Sequence, residues 1–217
     1  MHPSEAGITR LLVVDDDDAS RALLTSVLET WGYWVVEART GGEALAVLQK
    51  REFTAMLTDL QMPLLDGFVL VRQVRAREER ELRPRLPIIA ISAQASLGAR
   101  RECGRLGFDR VLAKPFAWQS VAQAGRDLCG DRRDVAEPRA VGPEVQSLVP
   151  GFLAARRREH LWMESCLAEH DFVQIARLGH RLKGSGGSFG FPELTTIGAR
   201  LEDAARAEDT DGCGEAL

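Results

Sequence analysis

Five short apolar runs alternate with five amphipathic stretches over the first part of the chain. The apolar runs are LLVV, WVVEA, FTAMLTD, PIIAIS and RVLA. Apolar runs of this length, separated by helical patterns, are typical of parallel strands that are buried on both faces. The alternation therefore predicts an α/β doubly wound domain with a five-stranded parallel sheet over residues 8–129.

The rest of the chain lacks this alternation. Residues 130–142 are charged, contain Pro138 and show no sustained periodicity, so we interpret them as a linker. From residue 143 to residue 217 the apolar positions follow helical spacing, which predicts an all-α helical bundle. Asp171 and Pro192 mark two expected helix starts, because aspartate caps helices and proline favours the first turn.

Composition limits the classes of protein to which the chain can belong. Its 217 residues are 45% hydrophobic and 28% charged, which is ordinary for a folded globular protein. The formal charge of -4 disfavours nucleic-acid binding, which usually needs a basic surface. We see no apolar stretch near the ~20 residues that cross a bilayer, and no secretory leader pattern. Four scattered cysteines without a CxxC pair favour reduced thiols, so we expect a cytoplasmic protein.

Polar side chains stand at the carboxyl ends of four predicted strands. They are Asp15 and Asp16 after the first strand, Asp59 at the end of the third, Ser92 at the end of the fourth and Lys114 after the fifth. Ligands bind beyond the carboxyl ends of parallel strands, so these side chains should converge. Three carboxylates repel each other unless a cation neutralises them, and oxygen ligands suit Mg²⁺. The sequence therefore predicts Mg²⁺ as a cofactor, beside a carboxylate that can act as nucleophile toward a phosphoryl group.

Four motifs, in order along the chain, carry a resemblance to a known family. They are VVDDD at 13–17, LTDLQMPLLDG at 57–67, AISAQA at 90–95 and LAKPF at 112–116. Together they resemble the motifs of a response-regulator receiver domain of two-component signalling. The resemblance implies a flavodoxin-like receiver fold in which Asp59 is the phosphoacceptor.

The same resemblance implies roles for the neighbouring residues. Asp16 and Asp59 would ligate Mg²⁺ together with the backbone carbonyl of Gln61, and Asp15 would assist through water. Ser92 and Lys114 would bind the phosphoryl group.

Position 111 departs from the family pattern. The family often has Tyr or Phe three residues before the lysine, whereas this chain has Val111. An aromatic output switch is therefore disfavoured, which agrees with a receiver that mainly relays phosphate. The isomer of the Lys114–Pro115 peptide bond stays open, because X-Pro bonds can be cis or trans.

A second candidate phosphoacceptor, His180, lies in the segment HRLKGSGGSFG. On a helical projection the apolar positions between residues 172 and 182 form one stripe, and His180 falls on the opposite side. We therefore expect His180 to face solvent, with Lys183 one turn away to neutralise phosphoryl oxygens. Glycines at 184, 186 and 187 would let a partner approach the imidazole. The alternative is that residues 184–190 form a flexible loop that ends the helix.

The segment GHRLKGSGGSFGFPELTTIGARLEDAAR resembles a histidine phosphotransfer (HPt) domain. Such domains are four-helix bundles that carry the histidine on the second helix and need no cofactor of their own. The resemblance implies that His180 is the phosphohistidine and that Lys183 supports it electrostatically. The third helix should end near Ala207, which leaves only about Thr210 to Leu217 for the fourth. We therefore expect a truncated bundle, with either more chain, another subunit or the receiver covering its open face.

The two resemblances together predict a phosphorelay protein of a two-component system. A partner histidine kinase would supply the phosphoryl group, since nothing resembles an ATP-binding kinase module, and a downstream response regulator is a further expected partner. The chain itself is then a phosphotransfer protein rather than an enzyme. The alternatives are a HAD-like metal-dependent phosphohydrolase, since Asp15 and Asp17 form a DxD pattern, and a signalling adaptor that docks without relaying phosphate.

Overall fold

The structure is a computed structural model that describes residues 9–93, 97–115, 118–129 and 143–217. It divides into two compact units, Met1–Ala140 and Val141–Leu217. Several predictions fall on residues outside the described ranges. These are the linker at 130–142, the domain start at residue 8, Gln94 and Ala95 of the AISAQA motif, and Phe116 of the LAKPF motif.

The first unit is a five-stranded parallel sheet with the strand order β2-β1-β3-β4-β5. The strands are β1 (Arg10–Val14), β2 (Trp34–Ala38), β3 (Ala55–Asp59), β4 (Ile88–Ser92) and β5 (Arg110–Ala113). The helices are α1 (Asp18–Thr30), α2 (Gly41–Lys50), α3 (Gly67–Glu81), α4 (Leu97–Leu106) and α5 (Trp118–Cys129). The predicted doubly wound α/β fold is confirmed.

Burial explains why the central strands read as continuous apolar runs. Every residue of β3 and β4 is buried, whereas the edge strand β2 is largely exposed or half-buried. Aspartate side chains cap two of the helices, with Asp17 accepting from the amide of Ala19 and Asp66 from that of Val69. These caps begin α1 shortly after β1 and α3 at the end of the loop that follows β3, so both helices start at the carboxyl edge of the sheet.

The second unit is all helical, as predicted. Its helices are α6 (Pro143–Ala168), α7 (Phe172–Ser185), α8 (Pro192–Arg206) and α9 (Thr210–Ala216), with a 3₁₀ turn over Gly186–Phe189. Asp171 caps α7 and Pro192 begins α8, so both predicted helix starts are confirmed. At seven residues α9 is as short as the sequence indicated. None of the helices in the described ranges is both long enough and apolar enough to cross a membrane.

Helices α7 and α8 touch backbone to backbone where two glycines cross. A Cβ atom placed on Gly198 would lie 2.6 Å from the carbonyl oxygen of Gly179, and one on Gly179 would lie 2.7 Å from the amide nitrogen of Glu202. Neither distance is tolerable between non-bonded atoms, so the crossing requires glycine at both positions. This close approach sets the distance between the side chains that α7 and α8 direct at each other.

Gly198→Ala should therefore destabilise the helical unit by about 1 to 3 kcal/mol, because the added methyl group meets backbone that cannot move aside. Amide hydrogen exchange of α7 and α8 in the full chain measures this. Gly151→Ala on α6 is the matched control, since no atom lies within 4 Å of its added Cβ. That variant should be neutral or stabilising by up to about 1 kcal/mol, because alanine favours helix. Equal protection in both variants would contradict the tight crossing.

Candidate functional site

The carboxyl edge of the sheet brings together three of the predicted residues, Asp15, Asp59 and Lys114. Lys114 Nζ donates to Asp15 Oδ2 at 2.9 Å and to Asp59 Oδ2 at 2.5 Å. All three side chains are at most 6% exposed. One ammonium thus holds carboxylates from two different strand ends.

Backbone groups fix the orientation of Asp59. The amide N–H of Gln61 donates to Asp59 Oδ1 at 2.9 Å. Gly67 lets α3 begin against the backbone of β3, because a Cβ there would lie 2.9 Å from Leu60 Cα and closer still to the carbonyl oxygen of Asp59. The resemblance assigned the carbonyl of Gln61 to a metal, and the structure adds that the amide of the same residue binds the phosphoacceptor candidate.

The acidic turn after β1 is ordered by its own hydrogen bonds. The amide of Asp17 donates to Asp15 Oδ1 at 2.9 Å, and the hydroxyl of Ser20 donates to Asp17 Oδ2 at 3.0 Å. Asp17 is buried and Asp16 is half-buried. The DxD pattern therefore does not present two equivalent carboxylates, since Asp17 serves as a helix cap.

Ser92 and Lys114 meet through backbone at the ends of β4 and β5. The carbonyl of Ser92 accepts from the amide of Lys114 at 2.7 Å, and Ser92 is 6% exposed. The Lys114–Pro115 peptide bond, which the sequence left open, is cis. Val111 is half-buried on β5.

The site holds one ammonium, Lys114, and two carboxyl groups, Asp15 and Asp59, so full ionisation would leave an excess of negative charge. Burial raises the pKa of Asp15 from 3.8 to about 7, and the nearby carboxylates of Asp59 and Asp17 add to the rise, against the attraction of Lys114. Burial also opposes the charge of Lys114, but Asp15 and Asp59 outweigh it and raise the pKa of the ammonium. A second cation would relieve this excess of negative charge.

Oxygen donors of this kind fit Mg²⁺ in their chemistry. Across the residues that the structure describes, no group of three or more His, Cys, Asp or Glu side chains is arranged as a metal site. Asp15 and Asp59 are paired to Lys114 instead. Asp15 and Asp59 thus bring carboxylate oxygens to one edge of the sheet, with an ammonium between them.

The environment of His180 differs from the prediction. His180 is only 9% exposed and is classed with the buried residues, so the expectation that it faces solvent is wrong. Its Nδ1 lies 3.0 Å from Glu202 Oε1 on α8. The helical projection placed His180 opposite the apolar stripe, but α8 packs on that side of α7 as well. Among the described residues, His180 Nε2 is not a buried polar atom that lacks a hydrogen-bond partner.

Glu202 is the functional candidate that the sequence reasoning missed. It is 0% exposed, and besides His180 it accepts from Lys183 Nζ at 3.0 Å and Arg206 Nη2 at 2.5 Å. Burial would raise the pKa of this carboxyl, but the bonds from His180 and Lys183 lower it to about 2. The signal for Glu202 in the sequence was a charged residue between Leu201 and Ala205, four positions after Gly198.

This carboxylate selects the form of the imidazole. An ionised carboxylate only accepts hydrogen bonds, so Nδ1 must carry the proton that it donates to Glu202. In the neutral ring Nε2 then keeps its lone pair. Nε2 is therefore the ring nitrogen that can accept a proton or attack an electrophile.

The glycines after Lys183 serve the fold of this unit. A Cβ on Gly186 would lie 2.7 Å from Leu194 Cβ, and the amide of Gly187 donates to Thr195 Oγ1 at 2.9 Å. For Gly186 the interpretation that its missing side chain admits a partner is wrong, because α8 fills that space. The alternative of a flexible loop is also wrong, since helix continues through Gly184 and Ser185 into the 3₁₀ turn.

The fold and the two sites define a class of protein. A receiver-type α/β unit is joined to a helical unit in which a buried carboxylate orients a histidine. Comparison with family models makes the assignment specific, because residues 11–125 match the response regulator receiver domain and residues 152–217 match the Hpt domain. The chain belongs to the response regulator receiver family and carries an Hpt domain after the receiver.

Individual proteins are similar to the whole chain or to its receiver part. Sensor protein GacS of Pseudomonas syringae pv. syringae is 29% identical over 225 residues, which cover 92% of this chain and 25% of GacS. The chain thus spans about a quarter of the length of that relative. A response regulator of Chloroflexus aurantiacus is 32% identical with a TM-score of 0.53, covering 57% of this chain and 99% of the solved one.

A further solved structure bears on the metal. The receiver domain of a sensor histidine kinase from Pseudomonas aeruginosa PAO1 is 30% identical with a TM-score of 0.51. The match covers 57% of this chain and 99% of that domain. It has a magnesium ion coordinated in its active site cleft.

Asp15→Asn should stabilise the receiver unit in buffer without divalent ions. A carboxyl whose pKa is raised to about 7 on folding binds its proton more readily when folded, so the wild type loses stability as pH rises from about 4 through 7. The variant has no carboxyl at position 15 to ionise, so it does not lose this stability. The positive charge of Lys114 is then matched by the single negative charge of Asp59. We expect a gain of about 1 kcal/mol or more at pH 8 that shrinks toward pH 5. Urea unfolding at the two pH values measures it, with Glu29→Gln, exposed on α1, as the control.

Glu202→Gln should remove a pH dependence from the helical unit. Because the pKa of Glu202 is lowered from 4.5 to about 2, its contribution is complete above pH 4.5 and is lost as the pH falls toward 2. Amide exchange or circular dichroism between pH 5 and pH 2 should show this loss in wild type and in Glu193→Gln, exposed at the start of α8. A Glu202→Gln variant with the same acid transition as wild type would contradict the assignment.

Proposed function

We propose that this chain is a phosphorelay intermediate of a two-component system. Asp59 accepts a phosphoryl group from a phosphohistidine of a partner histidine kinase, and His180 passes a phosphoryl group to or from receiver aspartates. The observation that supports this best is the presence of both acceptors, each oriented by buried polar groups. Asp59 is held by Gln61 and Lys114, and His180 by Glu202.

At the receiver site the reaction is a displacement at phosphorus. A carboxylate oxygen of Asp59 attacks, the new phosphorus–oxygen bond forms, and the phosphorus–nitrogen bond of the donor breaks. The bonding pair returns to the donor imidazole, and an acyl phosphate remains on Asp59. The Lys114 ammonium, already on Asp59 Oδ2, would neutralise a phosphoryl oxygen, and the Ser92 hydroxyl would donate to another.

The metal residues keep the roles that the resemblance gave them. Asp15, Asp16, Asp59 and the carbonyl of Gln61 would hold Mg²⁺. When bound, the ion neutralises charge on the phosphoryl oxygens and on the clustered carboxylates. The raised pKa of Asp15 supports a demand for such a cation.

At the Hpt site the nucleophile is Nε2 of His180. Attack on an aspartyl phosphate breaks its phosphorus–oxygen bond, and the bonding pair leaves with the aspartate carboxylate. The product is a ring that carries phosphoryl on Nε2, a proton on Nδ1 and a positive charge. Glu202 at 3.0 Å from Nδ1 stabilises that charge, and no proton has to move. Lys183 would neutralise phosphoryl oxygens, and the reverse step returns the bonding pair to Nε2.

The source and destination of the phosphoryl group lie in other proteins. We propose a histidine kinase as donor and a response regulator as a further partner, with this chain as a phosphotransfer protein and not an enzyme. The similarity to the sensor protein GacS supports this placement. The proposed division is a receiver at 8–129, a linker at 130–142 and an Hpt domain at 143–217. The buried free thiols of Cys103, Cys166 and Cys213 agree with a reducing cytoplasm.

A labelled phosphohistidine donor with Mg²⁺ tests the proposal. Wild type should carry label that divides into an acyl phosphate, cleaved by hydroxylamine, and an acid-labile phosphohistidine. Because His180 takes label only from a receiver aspartate, Asp59→Asn should lose both labels and His180→Gln only the second, as measured by chemical lability and mass spectrometry. Circular dichroism checks the fold of His180→Gln, because the glutamine amide replaces Nε2 and not Nδ1, which contacts Glu202.

Matched controls use exposed residues of the same types. His160→Gln on α6 and Asp203→Asn on α8 should label like wild type. An acyl phosphate that survives in Asp59→Asn, or a phosphohistidine that survives in His180→Gln, would refute the relay. Steady release of phosphate from small phosphomonoesters would favour the phosphohydrolase, and undiminished signalling in His180→Gln cells would favour the adaptor.

A further inference from the structure

Arg21 is a buried cation that neither acceptor site yet explains. It lies on α1, and its side chain is 4% exposed. Nη1 donates to the backbone carbonyl of Asp15 at 2.7 Å, Nε donates to Glu37 Oε2 at 3.1 Å, and Nη2 pairs with Asp18. Burying a guanidinium is costly, so the contacts that hold it there need a reason.

The two carboxylates do not supply that reason. The side chains of Glu37 and Asp18 are 41% and 71% exposed. Solvated carboxylates gain little from an ion pair, typically less than about 1 kcal/mol. The contact that requires burial is the one to the Asp15 carbonyl.

That carbonyl belongs to the peptide that joins Asp15 to Asp16. On its other side the amide of Asp15 donates to the carbonyl of Ala38 at 3.2 Å. Asp15 is therefore held at both backbone groups, by β2 and by Arg21. Rotation of the Asp15–Asp16 peptide would re-aim both acidic side chains, and Arg21 opposes it.

We infer that Arg21 is a positioning residue for the magnesium site, acting through the Asp15–Asp16 peptide. The inference rests on the proposed function, because that function assigns Mg²⁺ to these carboxylates. Arg21 would not ligate the ion itself, because a guanidinium has no acceptor atom. Partners that orient metal ligands typically change metal affinity about 10-fold to 100-fold when they are removed.

The test is Mg²⁺ affinity of the full chain by calorimetric titration with magnesium chloride. Arg21→Gln should raise the Kd by about 10-fold or more, with the fold checked by circular dichroism. Arg21→Lys keeps a buried positive charge but replaces the several N–H donors of the guanidinium with a single ammonium group. Its Kd for Mg²⁺ should therefore lie between those of wild type and Arg21→Gln. Glu37→Gln is the matched control, because it removes an ion pair of Arg21 and spares the Asp15 contact. Its Kd should stay within about twofold of wild type, since a solvated ion pair contributes little.

A metal-free measurement separates positioning from general stability. The amide nitrogen of Asp16 adjoins the Asp15 carbonyl, so its NMR shift without Mg²⁺ should move in both Arg21 variants and not in Glu37→Gln. If wild type binds Mg²⁺ and both Arg21 variants bind it equally well, the positioning role is refuted and the proposed function stands. If wild type itself binds no Mg²⁺, the metal role in the proposed function and this inference both fail.

Discussion

The ammonium of Lys114 lies between two carboxylates that reach it from different strands, and the receiver site depends on that contact. Asp15 follows β1, Asp59 ends β3 and Lys114 follows β5, so the contact exists only when the strands have the observed parallel order. One positive charge cannot balance two buried negative ones. The sheet thus creates an edge with an unmet demand for a cation.

The helical unit has the opposite imbalance. There, one buried carboxylate, Glu202, accepts from His180, Lys183 and Arg206. With a neutral imidazole, the two cations Lys183 and Arg206 surround a single anion at this site. Under the proposed function, the receiver edge would take up a metal cation and the histidine face an anionic phosphoryl group.

The sequence predicted those features that depend on local periodicity. Apolar runs predict the strands and where each strand ends. Because the carboxyl ends of parallel strands meet at one edge of a sheet, the runs also predict that Asp15, Asp59 and Lys114 lie close together. Glu202 is not predicted in this way, because its role depends on how closely α7 and α8 cross at Gly179 and Gly198. For the same reason, the burial of His180 was not predicted. A helical projection of α7 alone does not show that α8 packs against the side that carries His180.

Arg21 escaped the sequence reasoning for a related cause. Its main partner is a backbone carbonyl, and side-chain patterns do not report where a carbonyl points. The same is true of Gln61, whose amide rather than its side chain holds the phosphoacceptor candidate. Motifs identify residues that supply chemistry through their side chains, and they pass over those that act on or through the main chain.

The backbone contact from Gln61 has a consequence for variation between proteins of this kind. The side chain at position 61 is exposed beside Asp59, while its structural duty is carried by the N–H group that every residue except proline possesses. The chain can therefore change the chemical character of the surface next to its acceptor without disturbing the acceptor itself. Under the proposed function, recognition of partners by the side chain of Gln61 would therefore vary independently of the chemistry at Asp59.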